Sequence, residues 1–170
     1  AYRTAISLDP TTAAPWLMLG ILLAKNPLRG DEAEAAYRTA ISLDPSDPTP
    51  FTMLGILLVD KPGREDEAET AYRTVISMAP EVAWHWDKFG LLLVKNPSHH
   101  DEAEAAYRKA IALDPTTARY WIHLGNLLIF KPKRRDEAEA AYRKAIALDP
   151  TDSKPWNMLG ILFEKSQREE

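Results

Sequence analysis

The sequence predicts an all-α protein, an α-solenoid built from antiparallel helix pairs. Tyrosines, prolines and glycines each recur every 35 residues along the 170-residue chain. Each period contains two stretches whose apolar residues have the spacing of amphipathic helices, and a short proline-containing break separates the two stretches. A fixed period of about 20 to 50 residues is typical of repeat proteins in which every unit packs on its neighbours.

The recurring positions define the repeat boundaries. They are Tyr2, Tyr37, Tyr72, Tyr107 and Tyr142; Pro10, Pro45, Pro80, Pro115 and Pro150; and Gly20, Gly55, Gly90, Gly125 and Gly160. The segment Asp101–Pro115 recurs unchanged at Asp136–Pro150. We therefore expect one array over residues 1–170, with a half-repeat at 1–10, full repeats at 11–45, 46–80, 81–115 and 116–150, and a half-repeat at 151–170.

The first helix of each repeat, helix A, is predicted from about Ala13 to Lys25 in the first full repeat. One face of this helix carries Trp16, Leu19, Gly20 and Leu23. A glycine within a helix costs about 1 kcal/mol relative to alanine, so a glycine at the same place in every repeat indicates close packing. We expect it to admit the ring of the tyrosine on the neighbouring helix.

The second helix, helix B, is predicted between Asp31 and Leu43. It ends there because Pro45 pushes the residue before it out of the α region. Asp31 and Glu34 have the spacing of a capping box, and we interpret the pair as a helix start rather than as acid–base residues. The same pair recurs as Asp66/Glu69, Asp101/Glu104 and Asp136/Glu139.

These patterns resemble the tetratricopeptide repeat (TPR) family. The matching residues are Trp16, Leu19, Gly20, Ala33, Ala40 and Pro45, with Tyr37 where the family usually has Phe. The resemblance covers essentially the whole chain and implies a right-handed superhelix whose helices A line a concave groove that binds ligands. The family period is about 34 residues, and the extra residue here falls between Gly20 and Ala33. Phe51 in place of Trp is a mild departure, while Phe89, Val75 and the segment 78–80 depart further.

The groove candidates follow from a helical wheel, on which Met18 and Ile21 point away from Trp16. The candidate partner-binding residues in successive repeats are Met18, Ile21, Met53, Ile56, Trp84, Lys88, Leu91, Arg119, His123 and Asn126. The first two repeats offer an aliphatic, methionine-containing strip, which either binds a partner or is buried between adjacent helices A. Trp84 replaces a small residue and either anchors a partner or covers a weak junction. The residues with which some TPR proteins clamp a C-terminal carboxylate are absent.

Composition argues against several function classes. The net charge of −4 and a pI near 5.6 disfavour a protein that binds nucleic acid by neutralising phosphates. No apolar run approaches the roughly 18 residues that a membrane helix needs, so we expect no membrane contact. No signal segment is visible, which leaves the compartment open and favours the cytoplasm. We interpret the basic residues 131–135 as a solvated loop.

Chemistry-bearing motifs are also missing from the sequence. There is no cysteine, and the adjacent His99 and His100 cannot easily ligate one metal ion. No nucleophile–base arrangement, phosphate loop or metal-binding helix pair is visible. We therefore expect no enzymatic activity, no cofactor and no metal.

Three functions compete. The first is a non-catalytic scaffold that binds a peptide or protein segment in the groove of helices A. The second is a structural protein whose copies stack head to tail into a filament. The contact would join Tyr2, Ala5 and Ile6 of one copy to Trp156, Leu159 and Phe163 of the next. We expect Trp156, Leu159 and Phe163 to face water in a single copy. The third is an RNA-binding repeat protein of the pentatricopeptide kind, which the Trp-x-x-Leu-Gly motif and the acidic balance oppose.

Overall fold

The computed structural model describes residues 1–167, except for the side chains of Pro132 and of residues 165–167, and it contains ten α-helices and no strand in that part of the chain. The helices are α1 (Tyr2–Leu8), α2 (Ala13–Ala24), α3 (Gly30–Leu43), α4 (Pro48–Val59), α5 (Glu65–Met78), α6 (Ala83–Leu93), α7 (His100–Leu113), α8 (Ala118–Leu128), α9 (Arg135–Leu148) and α10 (Ser153–Gln167). Short 3-10 turns at Pro27–Arg29, Pro97–His99 and Pro132–Arg134 precede α3, α7 and α9. The all-α prediction is confirmed.

The helices form two compact units, which we call unit one (Ala1–Pro80, α1 to α5) and unit two (from Glu81, α6 to α10). In unit one, α2 packs on α3 and α4 packs on α5, while α1 packs on α2 and α3 packs on α4. In unit two, α6 pairs with α7, α8 pairs with α9, and α10 packs on α9. Each pair is a helix A followed by a helix B, so the predicted helix hairpins are present.

The core of each pair is a tyrosine ring against a glycine backbone. Tyr37 is buried against α2, where a Cβ added to Gly20 would lie 2.5 Å from the Cε1 of the ring. The same relationship joins Gly55 to Tyr72, Gly90 to Tyr107 and Gly125 to Tyr142. Small residues complete the packing, since Ala33 and Ala40 are fully buried. The prediction that the recurring glycines admit tyrosine rings is confirmed for four of the five. At the fifth, Gly160, no described atom lies within 4 Å of the site of a Cβ.

The predicted capping boxes are wrong. Helix α3 begins at Gly30, one residue before Asp31, and no side chain caps its first turn. The reason is that a 3-10 turn leads directly into this helix. The turn, not the helix, has a side-chain cap: Asn26 accepts a hydrogen bond from the backbone N–H of Leu28 at 3.0 Å. Helices α5, α7 and α9 likewise lack a side-chain cap at the predicted aspartates, Asp66, Asp101 and Asp136.

Candidate functional site

The predicted groove residues of unit one lie on α2 and α4. Met18 and Ile56 are 41% and 39% exposed, which is high for side chains of this kind, and Ile21 and Met53 are half-buried. Ile21, Met53 and Ile56 line one cavity of about 540 Å³, to which Lys61 also contributes. Met18 does not line it. We call this surface the helix-A groove of unit one.

The predicted residues of unit two lie on α6 and α8. Trp84, Lys88 and Leu91 are half-buried, and the Trp84 ring packs on the ring of His85 with centroids 4.6 Å apart. Asn126 accepts a hydrogen bond from the hydroxyl of Tyr142 at 2.9 Å, so its amide oxygen is already used within the fold. Asn126 thus contributes to packing between α8 and α9.

Arg119 and His123 share a partner that was not among the predicted site residues. Asp87 on α6 is fully buried, with His123 Nδ1 2.5 Å from its Oδ1 and Arg119 Nε 3.4 Å from its Oδ2. Burial raises the pKa of Tyr107, whose ring lies 5.6 Å from that of His123, and the charge of Asp87 raises it further. The sequence contains a signal for this site, because Asp87 places a carboxylate at the position that Thr52 occupies in the preceding repeat.

A second group of charges joins successive helices of unit one. The Glu34 carboxylate accepts hydrogen bonds from Lys61 Nζ at 2.8 Å, Arg64 Nη2 at 2.8 Å and Arg38 Nη2 at 3.0 Å. Burial raises the pKa of Glu34, but these three cations outweigh burial and lower it to about 2. Arg38 also donates to Glu67 at 2.8 Å. Glu34 therefore ties α3 to the α4–α5 hairpin rather than marking a helix start.

Unit two repeats this arrangement around Glu104. Its carboxylate accepts from Arg134 at 2.6 Å, from Lys131 at 3.3 Å and from Arg108 at 3.0 Å. The Arg134 hydrogen bond is the main reason that the pKa of Glu104 falls to about 2. The interpretation of residues 131–135 as a solvated loop is therefore wrong, because Lys131 and Arg134 are ion-paired and residues 132–134 form a 3-10 turn.

The residues predicted for contact between copies lie on α1 and α10. Tyr2, Ala5 and Ile6 are half-buried on α1. On α10, Trp156 is 54% exposed and Phe163 is 44% exposed, and Ile161 beside them is also exposed. The expectation that Leu159 faces water is wrong: it is 7% exposed because it lies on the side of α10 that packs on α8 and α9.

The described residues contain neither a metal-binding cluster nor a helix that could span a membrane. No group of three or more His, Cys, Asp or Glu residues there has the geometry to hold a metal ion. Within the same residues, no helix combines the length and the apolar composition that crossing a membrane requires.

Comparisons with known proteins agree with this architecture. Residues 73–170 match the family model of the cilia and flagella-associated protein 70 middle TPR-like domain. No curated protein sequence matches the chain.

Several solved structures share the fold at low sequence identity. YrrB, described as a TPR protein with an unusual peptide-binding site, has a TM-score of 0.79 at 22% identity, covering 100% of this chain and 86% of its own. The thermophilic TPR protein TTC0263 of Thermus thermophilus has a TM-score of 0.73 at 21% identity, covering 95% and 87%. The Cut9–Hcn1 hetero-tetramer of the APC/C has a TM-score of 0.79 at 20% identity, covering 95% of this chain and 32% of the Cut9–Hcn1 chain.

Proposed function

Because the chain belongs to the TPR-like family of the cilia and flagella-associated protein 70 middle domain, we propose that it is a non-catalytic scaffold that binds a peptide or protein segment on its helices A. TPR-repeat proteins are generally scaffolds for protein–protein interaction. The observation that carries the finer proposal is the helix-A groove of unit one, where Ile21, Met53 and Ile56 line an open apolar cavity.

The physical case rests on the cost of leaving this groove in water. Soluble proteins rarely expose contiguous apolar patches without a use for them, and methionine side chains adapt to ligands of different shape. Met18, Leu22 and Ile56 are all exposed on these two helices. A partner segment with apolar side chains at alternating or helical spacing would fit this strip.

Unit two offers a polar surface of its own. Lys88 on α6, with Arg119 and His123 on α8, offers nitrogen donors to an acidic or carbonyl-rich segment, and Trp84 offers a large aromatic surface. Arg119 and His123 are held by Asp87, so their positions are set before a partner arrives. Preorganised donors reduce the entropy that binding loses.

A display library of random peptides selected on the intact chain tests this function. Selected peptides should lose binding to Ile56→Glu, and peptides that contact unit two should bind Trp84→Ala about 5- to 30-fold more weakly if Trp84 is an anchor. Lys109→Glu, an exposed change on helix B of unit two, is the matched control and should leave binding unchanged. Selected peptides that bind all three variants as well as the parent would contradict the groove assignment.

We propose head-to-tail self-assembly as a second candidate function, favoured by the exposed face of α10. Beside Gly160, where a tyrosine ring lies at the other four glycines, no atom of the described residues comes within 4 Å of the site of a Cβ. Residues 1–10 are identical to residues 36–45, the segment of α3 whose Tyr37 fills the slot at Gly20. Helix α1 of a second copy therefore has the right side chains for α10.

Light scattering over a wide concentration range tests this second candidate. Particle mass should rise with concentration, and Trp156→Asp should hold the chain at monomer mass. Arg143→Asp, a change of charge on the exposed surface of α9, is the control for a non-specific effect. A mass that stays monomeric for the parent chain at high concentration would exclude the stacking.

A further inference from the structure

The helices A of the two units differ in charge. In unit one, α2 and α4 contain neither a charged residue nor a histidine. In unit two, α6 carries Asp87 and Lys88, and α8 carries Arg119 and His123. Since α2 and α4 pack on their helices B without any charge, the fold does not require charges on a helix A. We call these four residues the charged strip of unit two.

The charged strip includes a residue that is unfavourable for the core. Asp87 is fully buried, at the position that Thr52 occupies in α4. Thr52 donates its hydroxyl to the carbonyl of Pro48 at 3.0 Å, so its own burial is satisfied within the helix. A buried carboxylate costs more stability than such a threonine. Asp87 does hold Arg119 and His123 in place, which indicates that these two side chains have a use outside the core.

Lys88 lacks the anionic partner that other half-buried lysines have. Lys61 is paired with Glu34 at 2.8 Å, and Lys131 is paired with Glu104 at 3.3 Å. Lys88 is also half-buried, yet no hydrogen bond or ion pair joins its side chain to any residue that the structure describes. An opposite charge gains more at a partly desolvated cation than at a cation in open water. Lys88 is therefore a favourable place for an anionic group from a partner.

The charged strip has an excess of positive charge. Lys88 and Arg119 outnumber Asp87 by one, and the imidazolium form of His123 adds a second positive charge. Lys88 and His123 occupy the same position on neighbouring helices A, 35 residues apart in sequence. The side chains of Arg119 and His123 are 51% and 18% exposed, so a ligand in solvent can reach both.

The groups around the charged strip do not cancel this excess. His85 on α6 is buried, with its ring against that of Trp84. Tyr107 on α7 stays neutral, because burial raises the pKa of its hydroxyl, and the Glu104 carboxylate of α7 already accepts hydrogen bonds from three cations. Helix α9 contains three basic and three acidic residues. On α10, Lys154 adds an exposed cation.

The two units also differ in overall charge. Residues 1–80 contain 7 basic and 11 acidic side chains, whereas residues 81–170 contain 14 of each. The net negative charge of the chain therefore belongs to unit one. An acidic ligand is repelled by unit one as a whole but not by unit two.

We propose that the charged strip of unit two binds a peptide segment through the carboxylate of an Asp or Glu side chain, held by Lys88, Arg119 and His123. This inference rests on the proposed function, since it names the chemistry of the segment that the helices A bind. One carboxylate matches the excess charge of the strip better than a phosphate, which carries about −1.5 to −2. Trp84, one turn before Lys88 on α6, takes an apolar residue next to the acidic one.

Selection from a random display library on the intact chain is the first test. The peptides are fused to the display protein through their C-termini, so that only side chains supply carboxylates. Asp and Glu should be enriched in the peptides selected on the parent chain. The enrichment should disappear in selection on Lys88→Glu and should persist on Lys109→Glu, the same substitution on the exposed surface of helix α7.

Fluorescence anisotropy on one selected acidic peptide is the second test. Lys88→Met, which introduces the residue found at position 53, should weaken binding about two- to fivefold, as expected for the loss of one ion pair. Replacing the acidic residue of the peptide by its amide should cause a similar loss on the parent chain and little further loss on Lys88→Met, because the two groups interact. Added salt should weaken the binding of the acidic peptide more than that of the amide peptide. Circular dichroism establishes that each variant is folded.

The outcomes separate this inference from the proposed function. If the library yields no binding peptide, the proposed function fails and this inference fails with it. If peptides bind without enrichment of Asp and Glu, or if the amide peptide loses as much affinity on Lys88→Met as on the parent, only this inference is overturned. More than tenfold tighter binding of a phosphoserine version of the peptide, or of a labelled single-stranded RNA, would overturn the assignment to a carboxylate.

Discussion

The ring of Tyr107 lies so close to the backbone of Gly90 that a Cβ at Gly90 would be 2.5 Å from the ring's Cε1. Tyr107 is 1% exposed and packs in the same way as Tyr37 and Tyr142 do on their own glycines. A glycine in a helix costs stability, yet here its missing side chain sets the distance between the two helices of the pair.

Replacing Gly90 by alanine should destabilise the chain by about 1 to 3 kcal/mol, and leucine should cost at least as much, because the buried ring of Tyr107 has no room to move. Gly160→Ala is the matched control. It lies in α10 with no described atom within 4 Å of the new Cβ, so it should stabilise the helix by up to about 1 kcal/mol. Urea unfolding measures both changes, and a neutral Gly90→Ala would show that the contact does not set the helix spacing.

Stability should fall in acid because of Glu34 and Glu104. The pKa of each is lowered from 4.5 to about 2 in the folded chain, so their contribution is complete above about pH 4.5 and is lost as the pH falls towards about 2. Each side chain is only 13% exposed, and the contribution is on the order of 2 kcal/mol for each. Urea unfolding at a series of pH values measures the loss.

Glu104→Gln should remove part of this pH dependence, because the neutral amide cannot be protonated in that range and binds Arg134 more weakly. The variant should be less stable than the parent at neutral pH and should approach it near about pH 2. Glu65→Gln, an exposed change in the first turn of α5, is the control. A constant difference between Glu104→Gln and the parent across the pH range would contradict the role of Glu104.

Removing His123 should lower the free energy of unfolding, because it leaves the buried carboxylate of Asp87 without its main partner. In His123→Ala, Asp87 keeps only the longer contact with Arg119, and we expect a loss of about 2 kcal/mol in unfolding free energy. Combining it with Asp87→Asn should recover part of that loss, since the neutral amide is cheaper to bury. A double-mutant cycle measures the coupling, and strictly additive effects would mean that the two side chains do not interact.

The local pattern predicted the helices well and the charge contacts poorly. Helix α2 was expected from about Ala13 to Lys25 and spans Ala13–Ala24, because the apolar spacing and the proline breaks act within one repeat. The sequence pattern assigns Glu34 to a helix start, whereas two of its three cations, Lys61 and Arg64, lie 27 and 30 residues later in the next repeat. A capping-box pattern describes only neighbours in sequence, so it could not reveal a contact between repeats.

The groove residues show the same limit. The helical wheel placed Met18 and Ile56 on an exposed face correctly, since one helix determines exposure to first order. It could not show that Asp87 is buried beneath His123, because that contact joins α6 to α8 across 36 residues of sequence. Leu159 was expected in water because the wheel does not include the packing of α10 on α8.

Helices α7 and α9 share an identical segment, residues 101–115 and 136–150, yet each occupies a different place in unit two. Over the identical segment the two helices present the same side chains to a helix A, and they differ at their first residue, where a ring nitrogen of His100 lies 3.2 Å from the carbonyl oxygen of Val94. The short connection between α6 and α7 favours the native pairing, because closing a short loop loses less chain entropy than closing one that spans another hairpin. We therefore expect a longer α6–α7 connection to slow refolding, because it would let α9 compete with α7 for the place beside α6.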